Sequence, residues 1–292
     1  MEVHLVDGTY ELFRHHFGVP SHPDDDGIEV AAVRGVVGSM LAMLEQGATH
    51  VGVATDHVIE SFRNDLWAGY KTSAGVPPEL LTQFPLLEDA LGALGVAVWP
   101  MVELEADDGM ASAAAVARDD PRVGRVLICT PDKDLGQCVE DPLVVQVDRR
   151  RDNTVIDEAG VRAKFGVGPR SIPDYLALVG DSADGFPGLP GWGAKSTAIV
   201  LARYEHLDAI PDDARQWDVE VRGAAKLAAT LAAARDAATL FLDLATLRTN
   251  GDVGTVDDWE WRAPTPDFED WARRLGAEHL YRRATQLEEK RA

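Results

Sequence analysis

Residues 125–136, RVLICTPDKDLG, carry the clearest evidence for the fold, because an apolar run leads directly into acidic residues. Val126–Cys129 is predicted to be a buried strand, and helix-like patterns separate it from similar apolar runs. This alternation predicts an α/β fold with a mostly parallel sheet flanked by helices. The other predicted strands are Val3–Val6, Val51–Ala54, Val96–Trp99 and Leu143–Val147, and the helices between them are Val30–Glu45, Pro78–Leu94 and Asp107–Ala117.

The second half of the chain predicts a different architecture, because strand patterns stop after about residue 158. We therefore expect an α/β domain over 1–165 and a helical domain over 166–292. The predicted helices of this second part are Glu158–Phe165, Ser171–Val179, Lys195–Tyr204, Gly223–Leu242 and Phe268–Gln286.

The composition excludes several classes of protein. The 49 acidic and 28 basic residues give a net charge of −21, which argues against a partner held by a broad basic surface. Two cysteines cannot form a disulfide framework, and no Cys/His spacing indicates zinc. No apolar run is long enough to span a membrane, the first residues lack a signal-peptide pattern, and GxGxxG and Walker A loops are absent from the sequence.

Acidic residues follow the predicted strands or lie in a later GDSADG turn. Ligands of open α/β sheets bind beyond the carboxyl ends of the strands, so we expect these acids to converge there. Mg²⁺ and Mn²⁺ prefer carboxylate oxygens as ligands. A pair of such ions can activate a water and stabilise the leaving oxygen when a phosphodiester is hydrolysed. The nine candidate ligands are Asp7, Asp56, Glu105, Asp107, Asp108, Asp132, Asp134, Asp181 and Asp184.

Each acid also has a purely structural interpretation. A single Asp after a strand is more often a helix N-cap, and ELEADD at 103–108 is also typical of an acidic helix start. Asp24–Asp26 is interpreted as a solvated loop, and neither DDDG at 24–27 nor DSADG at 181–185 has the spacing of an EF-hand.

The segment GDSADGFPGLPGWGAKSTAIVLARY, residues 180–204, predicts a helix–hairpin–helix. Lys195 and Ser196 begin the second helix, whose N-terminus favours phosphate. Glycines in the turn let backbone N–H groups approach a phosphate without reading sequence, although a glycine turn alone could serve packing. The turn glycines are Gly188, Gly191 and Gly193.

These motifs together resemble the structure-specific 5′ nucleases, namely the flap endonucleases and the 5′–3′ exonuclease domain of bacterial DNA polymerase I. The resemblance covers nearly the whole chain, and no polymerase domain follows residue 292, so we expect a standalone nuclease. The motifs are VDGTYELFRHH at 6–16, ATD at 54–56, FRNDLWAGYK at 62–71, ELEADD at 103–108, TPDKDLGQCV at 130–139 and GDSADGFPGLPGWGAKSTAIVL at 180–201.

The resemblance implies a PIN-like nuclease domain with an arch at about 66–90, and a helix–three-turn–helix domain that contains the hairpin. It assigns Asp7, Asp56 and Asp107 to the ion that activates water, with Asp107 able to bridge to a second ion. It assigns Asp132, Asp134 and Asp181 to that second ion, whereas Glu105, Asp108 and Asp184 act through bound waters. It also implies potassium in the hairpin.

Basic and aromatic residues near the arch complete the implied site. Lys71 and Arg63 are expected to polarise the scissile phosphate, Tyr70 to stack on an unpaired base and Arg14 to contact phosphate. The structural alternatives are a surface charge for Arg63 and a core position for Tyr70. The chain departs from the family pattern in two places: residues 72–117 contain no Lys or Arg, and Gly185 replaces the usual Asn.

The sequence therefore predicts a Mg²⁺- or Mn²⁺-dependent 5′ nuclease of DNA replication or repair. Its expected substrates are 5′ flaps, nicks, 5′ ends and RNA primers on DNA, with weak, salt-sensitive binding to plain duplex. We expect a cytoplasmic monomer with no membrane contact. The alternatives are a PIN-like ribonuclease and a non-catalytic module that binds DNA junctions.

Overall fold

The computed structural model describes residues 1–291. Its six strands are β1 Glu2–Asp7, β2 His50–Asp56, β3 Ala97–Met101, β4 Arg125–Cys129, β5 Val144–Asp148 and β6 Thr154–Ile156. The thirteen α-helices over these residues are α1 Gly8–Gly18, α2 Ala31–Glu45, α3 Phe62–Leu66, α4 Pro78–Leu81, α5 Gln83–Leu94, α6 Ala106–Asp119, α7 Glu158–Phe165, α8 Ile172–Val179, α9 Ala194–Tyr204, α10 Ala224–Ala233, α11 Arg235–Ala245, α12 Phe268–Arg274 and α13 Glu278–Arg291.

The predicted helices of the second half form, but two of them are divided. The segment 223–242 contains α10 and α11, separated at Ala234, and the segment 268–286 contains α12 and α13. Gly276 lies between the last two helices with a φ of +58°, a conformation that ends a helix. The short strand β6 and the helices α1 and α3 are additions to the predicted elements.

The chain forms two compact units. Unit 1 comprises residues 1–59, 73–130 and 248–292, and unit 2 comprises residues 60–72 and 131–247. The last segment, 248–292, groups with unit 1, whereas the expected second domain covers 166–292. Within that unit the Trp261 backbone N–H donates to the Thr49 carbonyl, and the Trp261 indole N–H donates to the Leu94 carbonyl, both at 2.8 Å.

Unit 1 contains a parallel sheet with the strand order β3-β2-β1-β4. Val6 of β1 is in register with Val53 of β2 and with Cys129 of β4. These central residues are buried, as expected for strands covered on both faces. The sheet places Asp7 and Asp56 at the carboxyl ends of adjacent strands.

The predicted arch segment, 66–90, contains two helices that pack within unit 1. Leu80 of α4 and Phe84 of α5 are buried. The Gln83 carboxamide oxygen accepts a hydrogen bond from the Ala32 backbone N–H at 3.2 Å, which satisfies a donor in the first turn of α2. From residue 78 onward this segment is therefore part of the packed structure of unit 1.

Unit 2 is mainly helical and has its own apolar core, to which α8, α9, α10 and α11 all contribute. It also contains the antiparallel pair β5–β6. No helix within residues 1–291 combines the length and apolar character needed to cross a membrane.

Candidate active site

Asp7 ends β1 and caps α1 in unit 1. Its Oδ1 accepts a hydrogen bond from the Tyr10 backbone N–H at 2.7 Å, and its Oδ2 accepts one from the Thr130 hydroxyl at 2.9 Å. The structural interpretation of this Asp as an N-cap is confirmed. Capping also holds the carboxylate in one orientation at the carboxyl end of the sheet, where a ligand would bind.

Asp56 connects the end of β2 to the start of α6. Its backbone N–H donates to the Thr9 hydroxyl at 2.8 Å, and its Oδ1 accepts from the Ala106 backbone N–H at 2.7 Å. A carboxylate at a helix N-terminus is stabilised by the helix dipole and by the unpaired N–H groups there. Asp56 is thus fixed beside the helix that carries Asp107.

Three of the four acids of ELEADD lie at the start of α6 and differ in burial. Asp107 is half-buried, whereas Glu105 and Asp108 are buried. Asp108 is 0% exposed, and its two carboxylate oxygens accept from the backbone N–H groups of Glu105 at 3.0 Å and Arg248 at 2.8 Å. This environment makes Asp108 a capping residue that holds α6, and its expected metal role through bound water stays a prediction.

Three carboxylates of unit 2 form a cluster, which we call the carboxylate ring: Asp134, Asp181 and Asp184. One oxygen of each lies within 4.8 Å of the others. Asp134 begins a short 3₁₀ helix, whereas Asp181 and Asp184 lie in the hairpin after α8. Asp132 is exposed beside them, and its Oδ1 accepts from the Asp134 backbone N–H at 2.9 Å.

Asp134 is the most constrained member of the carboxylate ring. Burial raises the pKa of its carboxyl well above the usual value, and the negative charges of Asp132 and Asp184 raise it further. Among residues 1–291 no hydrogen-bond donor reaches its buried Oδ1. A buried carboxylate oxygen that accepts no hydrogen bond and lies beside other carboxylates fits the donor chemistry of a hard divalent cation.

Two lysines contact the carboxylate ring. Lys71 Nζ lies 3.2 Å from Asp184 Oδ1, and the Lys71 backbone N–H donates to the Asp184 carbonyl at 3.0 Å. Lys133 Nζ pairs with Asp181 and lies 3.8 Å from Asp134 Oδ1. Burial lowers the pKa of Lys133, but Asp134 and Asp181 outweigh that effect, so the pKa lies above its ordinary value.

Arg63 is buried and has a structural role, and its expected contact with phosphate stays a prediction. The residue is 1% exposed. Its Nε donates to the Leu244 carbonyl at 2.8 Å, and its Nη2 donates to the Thr246 carbonyl at 3.3 Å. Both carbonyls belong to the C-terminal end of α11, which Arg63 caps.

Two other expected nucleic-acid contacts differ in accessibility. Tyr70 is 4% exposed and packs in the core of unit 2, which agrees with its structural alternative, and its stacking on a base stays a prediction. Arg14 of α1 is 37% exposed and pairs with Glu11 on the same helix. Arg14 therefore remains accessible to phosphate.

The hairpin between α8 and α9 has the predicted glycine geometry. Gly188 and Gly191 have φ values of +65° and +88°. A Cβ on Gly188 would lie 2.3 Å from the Gly180 backbone nitrogen, so only glycine fits. Gly193 has an ordinary φ of −110° and open space around it, so its backbone does not require glycine.

The start of α9 presents the predicted polar residues. Lys195 is exposed in the first turn. The Ser196 hydroxyl accepts from the Gly193 backbone N–H at 3.2 Å and donates to the Gly193 carbonyl at 3.0 Å. Ser196 thus stabilises the helix start, and Lys195 is the side chain that faces solvent there.

Two residues near the carboxylates have roles that the sequence analysis missed. Lys133 lies between two predicted ligands in TPDKDL, and a lysine flanked by two acids was a visible signal. Thr130 orients Asp7 through a contact 123 positions away in sequence, which no local pattern indicates.

Two family models match consecutive parts of the chain. The 5′-3′ exonuclease N-terminal resolvase-like domain matches residues 2–166, and the 5′-3′ exonuclease C-terminal SAM fold matches residues 167–267. The chain belongs to the 5′-3′ exonuclease family. This confirms the resemblance, the fold class and the membership of a nuclease family expected from the sequence.

Curated relatives of this chain are longer proteins. DNA polymerase I of Pseudomonas aeruginosa is 33% identical over 266 residues, which are 87% of this chain and 28% of the polymerase. The chain thus spans less than a third of that relative's length.

Solved structures share the fold at low identity. The T5 5′-exonuclease with bound zinc has a TM-score of 0.67 at 19% identity, and the alignment covers 99% of each chain. The catalytic core of Rad2 in complex with DNA substrate has a TM-score of 0.63 at 16% identity, covering 97% of this chain and 90% of Rad2. Both similarities in fold extend over nearly the whole of this chain.

Proposed function

We propose that this exonuclease hydrolyses phosphodiester bonds at 5′ flaps, nicks and 5′ ends of DNA, and in RNA primers on DNA. The observation that carries the proposal is the carboxylate ring of unit 2, with a buried oxygen of Asp134 that receives no hydrogen bond within residues 1–291. Such a site is costly without a cation, because like charges in a buried position repel one another.

The carboxylate ring and Asp132 are the unit 2 residues that would hold divalent metal. In unit 1 the corresponding residues are Asp7, Asp56, Glu105 and Asp107. All donors are carboxylate oxygens, which favour Mg²⁺ or Mn²⁺ over softer metals. When bound, such ions lower the pKa of water and stabilise the leaving oxygen.

Lys71 is proposed to contact the phosphate that is cleaved. The side chain is 29% exposed and is anchored through its own backbone N–H, so it can turn from Asp184 to an entering phosphate. A cation beside a phosphate stabilises the charge that develops in the transition state. Arg14, also accessible, is proposed to contact phosphate away from the cleaved bond.

The hairpin and the start of α9 are proposed to bind the backbone of duplex DNA. Gly188 and Gly191 shape the turn, and Lys195 supplies an exposed positive charge at a helix N-terminus. The family resemblance supports a potassium ion among the hairpin carbonyls. We propose a cytoplasmic monomer, in keeping with a DNA substrate.

The local distribution of charge supports contact with DNA through unit 2. Unit 1 contains 28 acidic and 13 basic residues, a net charge of −15, whereas unit 2 contains 21 acidic and 15 basic residues, a net charge of −6. Phosphate is repelled less by unit 2, so binding should depend on a few cations and be strongly salt-dependent.

Cleavage of three labelled substrates tests the proposal: a 5′ flap, a nicked duplex and single-stranded RNA. With Mg²⁺ or Mn²⁺ the wild type should cleave the flap, and Asp181→Asn should cleave it roughly 1,000-fold more slowly while still binding it, because metal chemistry contributes several kcal/mol. Asp208→Asn, an exposed residue of unit 2, serves as the control. Cleavage of RNA alone would indicate the PIN-like ribonuclease, and flap binding without cleavage the junction-binding module.

A further inference from the structure

Lys133 is an ammonium group placed among carboxylates that are candidates for metal binding. It lies in sequence between Asp132 and Asp134. Its Nζ pairs with Asp181 Oδ2 and lies 3.8 Å from Asp134 Oδ1. One cation thus contacts two of the three members of the carboxylate ring.

The two lysines divide the carboxylate ring between them. Lys71 pairs with Asp184 at 3.2 Å, and Lys133 pairs with Asp181 and approaches Asp134. Their attachment differs, because the Lys71 backbone is hydrogen-bonded to Asp184, whereas Lys133 belongs to the segment that carries Asp134. Lys133 therefore brings a positive charge to the ring on the same short segment as a candidate ligand.

A divalent ion coordinated by Asp134 and Asp181 would compete directly with this ammonium group. Two positive charges within about 4 Å repel strongly even at an effective dielectric constant of ~20. The Lys133 side chain is 33% exposed and has a flexible four-carbon stem, so Nζ can move into solvent. Metal uptake and the Lys133 ion pairs should therefore exclude one another.

We propose that Lys133 is a tethered counterion of the carboxylate ring, which lowers the affinity of the ring for divalent metal and stabilises the protein when divalent metal is scarce. This role as a counterion rests on the proposed metal function. It makes two predictions of opposite sign for removal of the charge: tighter metal binding and a less stable metal-free protein.

Calorimetric titration with Mn²⁺ at low ionic strength tests the first effect. Lys133→Met should bind Mn²⁺ about tenfold more tightly than the wild type, and its melting temperature should be lower in EDTA but recover with Mn²⁺. Lys133→Arg should stay close to the wild type because it keeps the charge. Lys226→Met, at an exposed position of α10, controls for loss of any lysine.

The proposal would be overturned if Lys133→Met bound Mn²⁺ no more tightly than the wild type. It would also be overturned if Lys133→Arg bound Mn²⁺ as tightly as Lys133→Met. A wild type that takes up no Mn²⁺ would instead overturn the proposed metal function, so the two failures are distinguishable.

A second measurement uses the wild type and does not depend on the folding of a variant. Amine acetylation, read by mass spectrometry, should increase several-fold at Lys133 when Mg²⁺ is added and stay constant at Lys226. Unchanged acetylation of Lys133 at saturating Mg²⁺ would contradict displacement of the ammonium group.

Discussion

Carboxylates in the two units are held by different kinds of partner. In unit 1, Asp7, Asp56 and Asp108 accept hydrogen bonds from backbone N–H groups, mostly at helix starts. In unit 2, Asp181 and Asp184 pair with lysines, and Asp134 keeps an oxygen without a donor. An N–H donor orients a carboxylate and leaves its charge in place, whereas a lysine also neutralises it.

This difference implies different consequences of mutation. Removal of a carboxylate that satisfies backbone N–H groups leaves buried donors without acceptors and costs stability. Removal of a carboxylate from a crowded acidic cluster relieves repulsion and adds stability, while it damages the proposed metal site. Three substitutions, taken in order of their effect on folding, test the distinction.

Asp108→Ala should have the largest effect on folding. Two buried backbone N–H groups lose their acceptors, so the free energy of unfolding should fall by about 3 kcal/mol in urea titrations. Asp119→Ala, at the exposed end of the same helix, should change it by less than about 0.5 kcal/mol. If both variants were equally stable, the Asp108 carboxylate would not be the acceptor that stabilises the start of α6.

Asp134→Asn should have a smaller effect of opposite sign. The pKa of Asp134 is raised in the folded protein. The wild type therefore loses stability as the pH rises above about 4, which is the pKa of an Asp carboxyl in the unfolded chain. In EDTA at neutral pH the melting temperature of the variant should be roughly 2–4 °C higher than that of the wild type. This difference in melting temperature should disappear below about pH 4. A variant less stable than wild type at neutral pH would show that Asp134 is satisfied in the folded protein.

Lys71→Met should have the smallest effect on folding. Its ion pair with Asp184 is partly exposed, and such pairs contribute at most about 1 kcal/mol. Flap cleavage should nevertheless fall about 100-fold to 1,000-fold, because the phosphate loses the positive charge that stabilises the transition state. Single-turnover rates and thermal melts separate the two effects, and a loss of stability without a loss of rate would assign Lys71 to structure alone.

Most elements of the fold were predictable from the sequence because their patterns are local. Glu158–Phe165 was predicted with its observed bounds, and the strands that include Val3, Val51 and Val126 form the parallel sheet. The placement of 248–292 in unit 1 was not predictable, because it depends on long-range contacts of residues such as Trp261.

The candidate site was predictable in composition but only partly in geometry. The motif spacing indicated Asp134, Asp181 and Asp184, which the structure brings together. Burial could not be inferred from the same motifs. Arg63, Tyr70 and Asp108 stand at motif positions yet are buried, because packing around α11, the core of unit 2 and α6 decides their exposure.

The most direct test of the carboxylate ring as a metal site is a calorimetric titration of the wild type and Asp181→Asn with Mn²⁺, with Asp208→Asn as control. The wild type and the control should bind Mn²⁺ equally well, and Asp181→Asn should bind at least about tenfold more weakly, because one of three carboxylate ligands is lost. Equal Mn²⁺ affinity in all three proteins would contradict a metal site in the carboxylate ring.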